Sequence, residues 1–397
     1  MAPLAQELLD VIVGHVHDKP TLKSCALASS RLHTPSQRRL FSSIRISLAR
    51  PSYALITTTS YMVVNDRFLQ SPRLAGYVTT LTVTFLSDPF VMDVSTFCSL
   101  LGQLKSVRYC TLDSGDTLGY GIEESFIWGT PFSAPILDFI RRQNLLELNI
   151  SYISGIPPAT LAAFFCATQT LGLHHVTVER TLQDFSAAFS DVKVECLCIT
   201  ESSTALDKLR LPQFASLAAN VRRMWITVDS GYPTFKFTPE MAGRLEYLRV
   251  EWPLPAVHWL NAPPIDPNEP LVALRTLDLS YLPLNRDVEP SSVAILEPLF
   301  SCTTAALAEI RFSYSLGKKI FRKHYFHAGT LEAVAAALEK CSSAPRISWY
   351  ISVEGRSTRK ERELVKFTML LQAGLPHVHE QGRLSVQNRA FADDWRP

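Results

Sequence analysis

The chain has 397 residues, of which 47% are hydrophobic and 19% charged, with a formal net charge of +2. That balance supplies ample apolar surface for a core and excludes a disordered, collagen-like or disulfide-dense protein. With 39 bases against 37 acids there is no general attraction for polyanions, so neither nucleic acid nor a membrane surface is an expected partner. Cysteines at positions 25, 98, 110, 166, 196, 198, 302 and 341 show neither a disulfide framework nor paired zinc spacing, which fits a reducing compartment. Glu7 and Asp10 stand where a secretory signal would carry a basic start and an apolar run. The longest apolar runs, such as 159–167, fall well short of the ~18 residues of a membrane span. A soluble protein of the cytoplasm, the nucleus or both is the expectation.

In chain order, residues 1–46 come first. Leu8, Leu9, Ile12 and Val16 recur at helical spacing and predict a short amphipathic helix. After the break at Asp18-Lys19-Pro20, the stretches 21–32 and 35–44 predict two more helical runs carrying Leu22, Leu27 and Leu40. Helices this short cannot bury their apolar faces alone, so the stripe needs a partner or a cover. Residues 47–77 read as a helical linker.

From residue 78 one spacing recurs: apolar-x-x-apolar-x-apolar. It reads Val78, Leu81, Val83; Leu104, Val107, Tyr109; Leu145, Leu148, Ile150; Leu173, Val176, Val178; Val194, Leu197, Ile199. It continues as Val221, Met224, Ile226; Leu245, Leu248, Val250; Leu274, Leu277, Leu279; Leu307, Ile310, Phe312; and a tenth copy, Trp349 and Ile351, with Arg346 in the first place. One such match carries no weight in a chain this apolar; the recurrence does. Between the copies, 93–104, 133–144, 157–171, 182–192, 291–302 and 330–341 predict helices. A short strand followed by a helix, iterated over 78–355, predicts an α/β chain of irregular leucine-rich repeats, a solenoid or horseshoe. The position five residues beyond each centre carries no asparagine, so no asparagine ladder forms. Residues 356–397 read as a C-terminal capping segment, with a helix over 360–373 carrying Leu364, Phe367, Met369, Leu370 and Leu371.

Two resemblances follow from these residues. The repeats resemble leucine-rich repeats of an irregular kind. Residues 1–46 resemble the F-box of fungal F-box-like proteins: 4–9 match the opening Leu-Pro-x-Glu-Leu, 25–32 the Cys-Ser-Leu-Val-Ser-Arg-Ser-Trp run, and 36–44 the Arg-rich stretch ending Leu-Phe-x-x-Ile. Residues 68–83 resemble the lead-in to the first repeat of that family. Ala5 stands where the family has Pro, and Leu32 where it has Trp, which implies a weaker adaptor contact. The resemblance implies a substrate receptor or adaptor of a Skp-cullin-F-box ubiquitin ligase. Its N-terminal helices would bind a Skp-type adaptor, and through it a cullin, with Leu4, Glu7, Leu8, Leu9, Ile12, Val16, Leu22, Cys25, Leu27, Leu32 and Leu40 at the contact. The alternative is a free-standing repeat scaffold whose helices cap the array.

No reading favours an enzyme. Gly119-Tyr120-Gly121 lacks the third glycine of a dinucleotide turn, and the pairs His15/His17 and His377/His379 have no further ligands nearby in sequence; no catalytic residue, metal or cofactor is expected. The basic runs at Lys318-Lys319, Arg322-Lys323 and Arg356 to Arg362 read as solvated faces. Strand alternation directs the residues one before, one after and three after each centre to an open, mostly polar face, where Cys196 and Cys198 also fall. On that face Arg223, Trp225, Tyr247, Arg249, Arg311 and Tyr350 are the candidate substrate-binding residues, because Trp, Tyr and Arg most often carry binding energy.

Overall fold

Parallel strands cannot be joined by tight turns, so each needs a crossover connection; among the described residues most of these connections carry a helix. The computed structural model describes residues 4–48, 59–85, 93–114, 126–179, 191–227, 236–251, 269–280, 296–316, 329–353 and 357–388. They divide into two compact units, Met1–Gln183 and Asp184–Pro397, each a parallel sheet with helical crossovers.

The first unit opens with α1 (Gln6–Gly14), α2 (Lys19–Ala28) and α3 (Ser30–Phe41). The Asp18 carboxylate caps α2, accepting from the Thr21 backbone N–H at 2.8 Å and its hydroxyl at 2.6 Å. There follow β1 (Ser43–Ser47), β2 (Thr59–Ser60), α4 (Tyr61–Gln70), α5 (Pro72–Ala75), β3 (Thr80–Thr84), α6 (Val94–Gln103), β4 (Tyr109–Asp113) and β5 (Phe126–Ile127). The unit ends with α7 (Ser133–Arg142), β6 (Leu145–Ser151), β7 (Ile153–Ser154), α8 (Pro158–Ala167) and β8 (Thr168–His174). Its main sheet runs β2-β1-β3-β4-β6-β8, all parallel, while β5 and β7 pair by themselves. Asp93 starts α6 in the same way as Asp18 starts α2. The hydroxyls of Thr96 (2.5 Å) and Ser95 (2.7 Å) and the Ser95 N–H (2.9 Å) all donate to it, which holds its pKa down at about 2.

The second unit comprises β9 (Cys196–Thr200), α9 (Ser203–Leu209), α10 (Ala215–Ala218), β10 (Arg223–Thr227), α11 (Pro239–Ala242), β11 (Tyr247–Glu251), β12 (Thr276–Ser280) and α12 (Glu297–Ser301). It continues through β13 (Glu309–Leu316), α13 (Thr330–Leu338), β14 (Arg346–Val353), α14 (Ser357–Gly374), α15 (Pro376–Glu380) and β15 (Leu384–Asn388). These strands lie side by side in chain order, all parallel.

Alternation places the two inward residues of each strand in the core. Leu81 and Val83, Leu148 and Ile150, Leu197 and Ile199, Leu248 and Val250, Leu277 and Leu279 are all fully buried. Three copies of the repeat sit elsewhere than the spacing predicts. Leu81 pairs with Cys110, so the second copy is Val107, Cys110, Leu112; the apolar Leu104 and Val107 offered an equally good triplet three residues early. Burial pushes the Cys110 thiol up to about 12, and the expectation of an outward Cys110 is corrected. The fourth copy centres on Leu171, which pairs with Leu148, rather than on Val176. There α8 ends at Ala167 instead of 171, because the β-branched Thr168 and Thr170 go directly into strand. In the last copy Ile310 faces Ile347, so Trp349 occupies the second inward place.

Three described strands lie outside the predicted array, and one of them, β2, falls within the stretch 47–77 read as a helical linker. Phe41, Ile44 and Ile46 carry the same spacing, and β1 pairs with β3 over five residues, Ile44 beside Leu81; the strand thus runs through the predicted boundary at residue 46. At the other end β15 pairs with β14, Leu384 beside Ile347. Of the predicted helices, 182–192 lies mostly outside the described residues and 291–302 in part, as do Gly119–Gly121 and the basic run at 318–324. The segment 191–195 is described and is not helical. In α14, Phe367 and Leu371 are buried, whereas Met369 and Leu370 are exposed.

Trp349 is the largest fully buried side chain, stacked on Phe312 at 4.5 Å and meeting Phe367 edge-on at 5.9 Å. Replacing it by Ala should cost about 3–5 kcal/mol, read as a lower midpoint in urea unfolding, with Trp349→Phe costing much less; equal losses would mean that the ring stack carries little of the core.

Candidate interaction sites

Helix α1 is apolar on two sides. Leu9, Val13 and Val16 fall at i, i+4 and i+7, and of these Val13 is buried while Leu9 and Val16 are half-buried. The opposite side presents Leu4, Leu8 (51% exposed), Val11 and Ile12 (52%) to solvent, with Glu7 beside them. Val11 extends this side, at i+7 from Leu4 and i+3 from Leu8. At the end of α2, Leu27 is 89% exposed. Cys25, Leu32 and Leu40 are half-buried, and Leu22 is buried, so the expectation of Leu22 in an exposed stripe is corrected: it faces the helical interior. Helices α1 and α3 are tied by Arg31, whose guanidinium donates to the Leu4 carbonyl, and by Gln6, which donates to the Arg31 carbonyl at 3.0 Å.

The second candidate surface lies on β10 to β14. Register sets Arg223 opposite Tyr247 and Trp225 opposite Arg249. The Arg249 guanidinium lies 4.2 Å from the centre of the Trp225 ring, Arg223 lies 5.1 Å from that of Tyr247, and Arg311 lies 5.8 Å from that of Tyr350. Two of the arginines also meet an acid from their own strand: Arg249 with Glu251 at 3.5 Å and Arg311 with Glu309 at 2.8 Å. Asp278 sits between them in register, opposite Arg249 on one side and Arg311 on the other. It accepts from the Tyr247 hydroxyl at 2.8 Å and the Ser280 hydroxyl at 3.1 Å. Ser348 donates to Glu309 at 2.5 Å.

The six predicted substrate residues therefore do come together as one connected set, but not as an open face. Tyr247 (6% exposed) and Arg249 (5%) are buried, and Arg223, Trp225, Arg311 and Tyr350 are half-buried. Cys196 and Cys198, expected to line a surface, are buried against Tyr247 and Trp225. Strand alternation gives the direction of a side chain and says nothing of what covers it. Burial raises the pKa of Asp278 and of Glu251 from their ordinary values, against the opposing pull of Arg249, and it also raises that of the Tyr247 phenol. In the first unit the corresponding face is more open, with Tyr109 exposed and Thr82, Thr111, Glu147 and Asn149 half-buried.

Sequence reasoning puts Asp278, Ser280 and Glu309 on the outward face but not among the candidate binding residues, because their importance comes only from their cross-strand neighbours. It also missed three non-glycine residues with left-handed backbone, Tyr152, His175 and Glu201, each four places after its strand's centre. Tyr152 and His175 stack at 4.4 Å. Among the described residues, no group of three or more His, Cys, Asp and Glu side chains is placed to hold a metal, and no helix is long and apolar enough to cross a membrane. Compared with models of known protein families and with curated proteins, the chain matches none.

Two outcomes follow for the buried network. Tyr247→Phe leaves Asp278 with one donor fewer in a buried place and should cost about 1–3 kcal/mol, measured by urea unfolding. The raised acids bind protons more readily in the folded than in the unfolded chain, so their contribution is full below the unfolded range near pH ~4 and fades as pH rises through the folded values. Asp278→Asn should therefore gain stability relative to the wild type between acid and neutral pH; a difference that stays constant with pH would show that Asp278 does not titrate in this way.

Proposed function

We propose that the protein is an F-box-type substrate receptor or adaptor of a Skp-cullin-F-box ubiquitin ligase, built on an irregular leucine-rich-repeat solenoid, with no chemistry of its own. The observation that carries this reading is the exposed apolar side of α1, with Leu4, Leu8, Val11 and Ile12, together with the almost fully exposed Leu27 on α2. A solvated protein gains nothing from such a patch, whereas a partner helix or groove laid over it removes the apolar surface from water. The resemblance of residues 1–46 to an F-box names that partner as a Skp-type adaptor, bridging to a cullin.

Substrate capture falls to the repeat strands. Trp225, Arg223, Arg311 and Tyr350 offer half-buried edges to a protein segment, while Tyr247 and Arg249 hold them in place from below. Prepositioned aromatic and guanidinium groups lose little freedom on binding, which favours them as anchors.

One observation favours a second reading, a free-standing repeat scaffold. Val13 and Leu22 are buried, and β1 continues from α3 after a single residue to pair with β3; helices so attached also serve as a cap.

The two readings part on one experiment. Leu8→Asp with Ile12→Asp should abolish co-purification of a Skp-type adaptor from cells and leave the thermal midpoint unchanged; a fall of several degrees with no adaptor in the wild-type pull-down would establish the cap. For capture, Trp225→Ala with Tyr350→Ala should remove substrate proteins from the pull-down while adaptor is retained, and unchanged substrates would move the capture surface off these strands.

A further inference from the structure

The charge of this chain is unevenly placed. Residues 15–45 carry six bases, Lys19, Lys23, Arg31, Arg38, Arg39 and Arg45, against the single acid Asp18. Within the helical module, residues 6–41, five bases face the three acids Glu7, Asp10 and Asp18, and all five bases lie on α2 and α3. All six bases are exposed, and among the described residues none of them enters an ion pair.

Two of the six converge on a cleft. Between α1, α3 and the turn ahead of β3 lies a depression of about 430 Å³, lined by Val13, Pro35 and Tyr77 with Arg38 and Arg39 along one wall and Asp10 on the other. Both arginines are held there: the Arg38 guanidinium lies 5.8 Å from the centre of the Tyr77 ring, and Arg39 is 3.2 Å from His17 Nδ1. Asp10 offsets one of the two charges, leaving the cleft with a net positive charge and an apolar floor.

We propose that this cleft is the seat for an acidic segment of the protein that covers α1. This rests on the reading that a protein partner docks on the module; it does not rest on that partner's being a Skp-type adaptor. An anionic lipid surface is the rival occupant. Glu7 and Asp10 interleave with the exposed Leu8, Val11 and Ile12 on α1, so a helix laid on anionic headgroups would bring two carboxylates against them, whereas a protein surface can meet acids and bases separately.

The test uses the full chain with a labelled octaglutamate peptide, an octalysine peptide and phosphatidylserine-containing vesicles. Octaglutamate should bind saturably and octalysine should not. Arg38→Glu with Arg39→Glu should weaken octaglutamate binding roughly tenfold, added salt should weaken it likewise, and Leu8→Asp should leave it unchanged. If the charge reversal lowers the thermal midpoint, Arg38→Gln with Arg39→Gln takes its place, with a smaller loss in the same direction. Binding that ignores these substitutions, no binding at low salt, or stronger capture by the vesicles overturns the proposal. Octaglutamate binding without any co-purified Skp-type adaptor upholds it and sinks the ligase reading.

Discussion

Parallel pairing in one constant register is the constraint on which the rest of each unit depends. When five-residue strands lie side by side with every centre opposite the next, each position of the strand becomes a row running across the sheet. The inward rows must then be apolar along their whole length, since a polar side chain there would face apolar neighbours from both flanking strands. Leu197, Met224, Leu248, Leu277 and Ile310 form such a row, and Ile199, Ile226, Val250, Leu279 and Phe312 the next. The helices are of varied length and the connections of varied size because the register asks only that the chain return to the same edge.

The outward rows are governed by the same register but by different chemistry. Side chains far apart in sequence are forced to within one strand spacing, so each must suit two partners at once. In the second unit this yields alternating arginines, acids and aromatic rings: Trp225, Arg249, Asp278 and Arg311 occupy successive strands of one row. Burying such charges is costly unless they are paired and hydrogen-bonded, and here Tyr247, Ser280, Glu251 and Glu309 supply the partners. The result is a face whose side chains are fixed before any partner arrives.

The helical module joins this scheme at its edge. With β1 pairing in register with β3, the orientation of α3 relative to the first unit's sheet follows from backbone hydrogen bonds, among them Thr79 and Thr80 donating to the Ser42 carbonyl, each at 2.9 Å. A partner seated on α1 would therefore stand at a set distance and angle from the strands of that unit, with no flexible joint between the module and the sheet.

The triplet spacing, read from the sequence alone, determined the strand centres at Leu197, Leu248 and Leu277, where only one phase buries all three side chains, but not at Leu171, whose first place is the polar Thr168. It also placed the outward rows of those strands, and the break at Asp18-Lys19-Pro20 marked the start of α2; the break expected before Pro35 falls instead at Ser29, and α3 runs through Pro35. Where two triplets overlapped, as at Leu104, Val107 and Cys110, local pattern could not choose, and pairing with Leu81 decided. The strand β15 was equally hidden, since Leu384 becomes a strand residue by pairing with an edge that only the folded sheet provides, whereas β1 carries the triplet Phe41, Ile44, Ile46 within a stretch that also reads as helix. Tertiary structure alone decided that Leu22 turns inward while Leu27 stays in water, and that Tyr247 and Arg249 lie beneath the surface. The reason is that periodicity fixes the direction of a side chain from its own backbone, whereas burial depends on atoms brought in from elsewhere in the chain.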